Sequence, residues 1–88
     1  MNTTQLLLLA LNCISENRET THTEKSHIYV FYKNEIENKQ SINNFMLKFE
    51  SMPICQQIEQ QKRAQVIAFV DGFLLEAQQK LKLRGLYI

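Results

Sequence analysis

The alternation of apolar and polar positions is clearest in the last third of the chain, between residues 53 and 83. From residue 66 onward, apolar side chains recur at intervals of three and four: Val66, Phe69, Val70, Phe73, Leu74, Ala77 and Leu81. At about 100° per residue these positions share one side of a helix. The pattern predicts a long helix over 53–83, beginning at Pro53 because proline is well tolerated in a first helical turn.

The first two turns of this predicted helix do not follow the same pattern. Ile54, Cys55 and Ile58 point about 90° away from the later apolar side. We therefore expect either a kink near residues 60–63 or a junction of two helices there. Gly72 lies in the middle of the later pattern and costs a helix about 1 kcal/mol relative to alanine. It indicates either a bend or a tight contact, and the apolar pattern continues in phase across it.

Two shorter helices are predicted in the first half of the chain. The first covers residues 4–16, where Thr3 or Thr4 is available as an N-cap and the run from Leu6 to Ile14 is strongly apolar. The second covers residues 22–39, because Thr21 and Glu24 have the spacing of a capping box. A strand over 28–32 is the alternative, since those residues have high β-propensity. Helix is favoured because one helical face collects the apolar residues Ile28, Phe31, Tyr32 and Ile36.

A third short helix is predicted over residues 42–50, with Ser41 as its N-cap. It must end by Met52, because the residue before a proline avoids the helical region. The fold class is therefore all-α, with four helices in a single domain over residues 1–88. The last helix would be about 45 Å long, whereas a domain of this size is about 25 Å across. We expect it to project, to be kinked, or to pair with a second copy.

Composition narrows the compartment and the class of partner. The chain has 88 residues, a formal net charge of +1 and two cysteines. Near-neutral charge gives no general attraction to nucleic acid or membrane surfaces, and no stretch is long enough to span a bilayer. Cys13 and Cys55 lie in apolar settings, so we expect reduced core thiols and a cytoplasmic protein. The abundance of Gln, Asn, Lys and Ile is consistent with an AT-rich gene, such as a phage or mobile-element gene.

Export and enzymatic chemistry are not expected. The apolar run at residues 6–14 lacks a basic region before it and a small-residue cleavage site after it, both of which a secretory signal requires. His22, His27 and the two cysteines match no zinc-binding spacing. Cys55 has no orienting group of the kind that a nucleophile needs. We therefore predict a non-enzymatic protein with no metal or cofactor.

One side of the long helix suggests a binding role. Ala64, Ala68 and Leu75 lie away from the main apolar side, and an apolar tail with Leu86 and Tyr87 follows. Alanine's helix propensity and one exposed leucine explain the same residues without a partner. The sharper interpretation is a second packing surface at Ala64, Ala68 and Leu75. The tail either folds back on the core or docks on a neighbour, and all five residues are candidate partner-binding positions. This interpretation predicts a small regulator or inhibitor that binds another protein, with a homodimer expected.

DNA binding by a helix-turn-helix is the alternative function. The predicted helix at 42–50 is followed closely by another, which is the order of that motif. The basic residues available there are Lys48, Lys62 and Arg63. Against this alternative, the basic residues are few, and a proline stands where the motif usually has a glycine turn.

Overall fold

The computed structural model describes residues 1–85, and all of its regular structure is helical. The five helices are α1 (Thr3–Glu16), α2 (His22–Glu35), α3 (Ile42–Ser51), α4 (Pro53–Gln56) and α5 (Gln60–Gly85). The all-α prediction is confirmed, with no strand in the described residues. Residues 28–32 are helical, and the helix buries Ile28, Phe31 and Tyr32.

Local capping chemistry determines where the first three helices begin. At α2, Thr21 Oγ1 accepts from the Glu24 backbone N–H and the Glu24 carboxylate accepts from the Thr21 N–H, as predicted. Ser41 Oγ accepts from the Asn44 N–H at the start of α3. The predicted cap of α1 was wrong. Asn2 takes that position and forms a capping box with Gln5, because its amide oxygen reaches the Gln5 N–H.

The second helix is shorter than predicted, since it ends at Glu35 instead of continuing to residue 39. Ile36 is 1% exposed, so the chain turns inward there to bury it. Asn38 adopts a left-handed conformation with φ 66°, which a helix cannot contain. The Gln40 side-chain amide donates to the Glu35 carbonyl at 3.1 Å and satisfies this end of the helix.

The region predicted as one helix over 53–83 consists of two helices. Of the two alternatives, the junction of two helices is confirmed and a kink within one helix is not. The break lies at residues 57–59, and the Arg63 guanidinium stabilises it. Arg63 donates from one nitrogen to the carbonyls of Gln56 and Ile58, at 2.9 Å each. The Gln56 carbonyl is the last of α4 and the Ile58 carbonyl lies in the break, so the side chain joins the end of α4 and the break to the first turn of α5. Beyond this break α5 runs for 26 residues and is continuous through Gly72.

The core forms where the other helices pack on α5. Among the described residues, α1, α2 and α3 each make their most extensive contacts with α5. The molecule measures 44 × 27 × 18 Å, and α5 alone is about 39 Å long. An inner row of α5, defined as Val66, Val70, Leu74 and Ala77, is completely buried. A helix this long fills the core with one side and leaves the opposite side free.

Candidate protein-binding site

The side of α5 opposite the inner row is open to solvent. We define an outer row as Gln65, Ala68, Gly72, Leu75 and Gln79, all of which are exposed. Leu75 is 44% exposed. Ala64 is also exposed and lies at the edge of this row. The structure therefore places Ala64, Ala68 and Leu75 on one accessible surface, where the sequence predicted them to be.

Gly72 is the residue of the outer row that the fold itself does not require. A Cβ built at this position would meet no atom within 4 Å, so no neighbouring element in the described structure needs the space. Its backbone is not in the positive-φ region that favours glycine. A glycine in the interior of a helix costs about 0.5–1 kcal/mol relative to alanine. In residues 1–85, no atom close to this position shows what compensates for that cost.

A groove lies beside the outer row, between α5 and the α1–α2 loop. It has a volume of about 440 Å³, and its lining includes Arg18, Thr20, Ala68, Gly72 and the two rings of Phe69 and Phe73. The rings pack edge to face with centroids 6.1 Å apart. Phe69 was expected on the apolar side of the helix but is 37% exposed. It lies at the margin of that side, where the α1–α2 loop covers it only in part.

Charged side chains line the wall of the groove in paired form. Arg18 bridges Glu16 and Glu24, with its contact to Glu24 at 2.9 Å. The hydrogen bond from Arg18, followed by that from the Thr21 backbone, lowers the pKa of the Glu24 carboxyl from 4.5 to about 2. Lys25 of α2 contacts Glu76 of α5 at 3.4 Å. The pairs of Arg18 join the α1–α2 loop to α1 and α2, and the pair of Lys25 joins α2 to α5. Ion pairs therefore link the elements that border the groove.

The two cysteines belong to the core, as predicted. Both are free and buried, and burial raises the pKa of the thiols of Cys13 and Cys55 above the ordinary value. A thiol that resists ionisation is a poor nucleophile. In the described part of the chain, no three His, Cys, Asp or Glu side chains come together in a way that could hold a metal ion.

The three residues of the DNA-binding alternative do not form one surface patch of free cations. Arg63 is engaged with backbone carbonyls, and Lys48 Nζ lies 3.3 Å from Gln40 Oε1. Lys62 is exposed on α5. The helix that follows α3 is a single turn, whereas a recognition helix lies along a groove of DNA. DNA binding stays an alternative prediction to which these positions add no support.

Two of the five predicted partner-binding residues, Leu86 and Tyr87, lie outside the described residues. The sequence also missed part of the surface, namely the groove formed with Arg18, Lys25 and Phe73. The one signal for this groove in the sequence was Arg18, a lone cation among Glu16, Glu19 and Glu24. That clustering predicts ion pairing, but it does not reveal that α5 lies opposite.

Compared with known proteins, the chain matches no family model, no curated protein and no solved structure. None of the helices among residues 1–85 combines the length and apolar character needed to cross a membrane.

Proposed function

We propose that this chain is a small non-enzymatic regulator or inhibitor that acts in the cytoplasm by binding another protein through the exposed side of α5. The observation that carries the proposal is Gly72. It destabilises the middle of α5 by about 0.5–1 kcal/mol, and no atom of the described structure occupies the space it leaves. A second molecule that approaches closely can occupy the space left by the missing side chain, which explains a glycine at this position.

The neighbours of Gly72 support the same proposal. Leu75 and Phe69 are large apolar side chains with substantial exposure, at 44% and 37%. Aromatic residues such as Phe69 are enriched at protein interfaces, and Leu75 adds exposed apolar area on the same helix. The two buried thiols fit a reducing compartment, where cysteines remain unpaired.

Affinity capture with quantitative mass spectrometry tests this function in cells of the organism that encodes the chain. Wild-type bait is compared with Ala68→Glu, with Leu75→Glu and with Leu47→Glu as the matched control. Leu47 lies on α3 and is 66% exposed, so its substitution adds the same charge elsewhere. We expect one partner to be retained by the control and lost by both α5 variants, because each buries a carboxylate at the interface.

Circular dichroism and thermal melts must first show that all three variants are folded. The proposal is wrong if both α5 variants capture the same proteins as wild type, or if the Leu47→Glu control loses the partner equally.

A further inference from the structure

The outer row has the spacing of a helix–helix seam. Its members, at positions 65, 68, 72, 75 and 79, are separated alternately by three and four residues. An average spacing of 3.5 residues keeps one line of side chains facing a partner helix along its length. None of the five carries a charge, so like-charge repulsion does not oppose pairing of this line with itself.

The order of residues in the outer row is nearly the same when read in either direction from Gly72. Ala68 and Leu75 flank it as apolar residues, and Gln65 and Gln79 follow as polar residues seven positions away on each side. An antiparallel two-fold contact brings the residues of this row together in reverse order. The order therefore places apolar residues against apolar residues and glutamine against glutamine, so the row is complementary to itself.

We infer that a second copy of this chain covers the outer row, with the two α5 helices antiparallel and Gly72 at the two-fold axis. The missing side chains at the axis let the backbones approach closely. Leu75 of each copy then lies against Ala68 of the other, and Gln65 meets Gln79 with amide groups that can donate and accept. The inference rests on one premise of the proposed function, that the exposed side of α5 is a binding surface, and it names a second copy of the chain as the occupant of the outer row.

Disulfide trapping tests the register. Cys13 and Cys55 are buried, so an introduced surface cysteine is the accessible thiol. Helix axes about 9–10 Å apart, less a Cα radius of about 2.3 Å on each side, place the two Cα atoms at the axis about 4.4–5.4 Å apart, within the range that a disulfide needs. The added side chain of Gly72→Cys weakens the dimer, but the covalent bond captures the dimer that still forms. Gly72→Cys should therefore link under mild oxidation to an extent above the collision background. Gln65→Cys alone and Gln79→Cys alone should not, because identical positions lie about 21 Å apart along the antiparallel axis.

An equimolar mixture of Gln65→Cys and Gln79→Cys should link, and Leu47→Cys on α3 should give only the collision background. Sedimentation equilibrium of the wild-type protein should give twice the chain mass. Far-UV circular dichroism confirms that each variant is folded before oxidation.

Two results would overturn the inference: a wild-type monomer at about 100 µM with no linkage of Gly72→Cys above background, or self-linkage of Gln65→Cys, which requires another register or a parallel arrangement. A monomer that still loses a cellular partner on Leu75→Glu would remove this inference and leave the proposed function standing. A dimer trapped through Gly72→Cys, in a protein whose cellular partners do not depend on Leu75, would remove the proposed function and leave this inference standing.

Discussion

The inner and outer rows lie on opposite sides of α5 and differ in burial and in residue type. The inner row consists of β-branched, leucine and alanine residues that are 0% exposed, and each fills space between α5 and the other helices. The outer row is exposed along its whole length and includes a glycine that no intramolecular contact requires. Packing explains the residues of the inner row. Helix propensity and exposure to solvent account for the glutamines, Ala68 and Leu75 of the outer row. Only Gly72 has no explanation within the described structure.

The largest expected contrast is between adjacent leucines on the two rows. Leu74→Ala removes a fully buried side chain and should lower the free energy of unfolding by about 2–5 kcal/mol. Leu75→Ala, as its matched control, should change the stability of the monomer by no more than about 0.5 kcal/mol. Urea denaturation at low protein concentration measures both. Equal losses for the two variants would show that the rows are not distinct.

Neither row contains a group that titrates. We therefore expect acid to lower the free energy of unfolding through charged side chains elsewhere, of which Glu24 is one. The folded state lowers the pKa of Glu24 to about 2. Its contribution is therefore present above the unfolded pKa, near 4.5, and is lost as the pH falls towards 2. Allowing for solvent screening, we expect this contribution to be about 1 kcal/mol.

Glu24→Gln isolates that contribution, because glutamine keeps the capping box with Thr21 and removes only the charge. Denaturation between pH 5 and pH 2.5 should show a shallower loss of stability for the variant than for wild type. Parallel curves would assign the acid sensitivity to other carboxylates.

Gly72→Ala should have smaller effects, raising the stability of the monomer and weakening self-association. The added methyl group meets no atom of the monomer, so at concentrations where the chain is monomeric it should raise the free energy of unfolding by about 0.5–1 kcal/mol. The same methyl group at the two-fold axis should weaken self-association. Chemical denaturation and sedimentation therefore change in opposite directions. A variant that is both more stable and equally dimeric would contradict a close approach at this glycine.

Local chemistry and periodicity were enough to predict most of the fold. The caps at Thr21 and Ser41 depend on residues within three positions, and the helical spacing of Ile28, Phe31 and Tyr32 outweighed their β-propensity. The change of apolar phase after Ile58 indicated a discontinuity before α5. The exposed side of α5 at Ala64, Ala68 and Leu75 was also predictable, because it is the complement of the buried side.

Features that depend on tertiary contact were not predictable. The end of α2 at Glu35 follows from the burial of Ile36 and from a hydrogen bond donated by Gln40. The groove requires the α1–α2 loop to lie beside Phe69, some fifty positions further along the chain. A single sequence contains no signal for that approach.

The convergence of α1, α2 and α3 on α5 has a consequence for biosynthesis. A ribosome emits the chain from its amino end, so the apolar sides of the first three helices leave the exit tunnel before the element that covers them. The parts of those surfaces that pack on α5 stay exposed to solvent until α5 has emerged as far as Ala77. The core can therefore be completed only after the final third of the chain has been made.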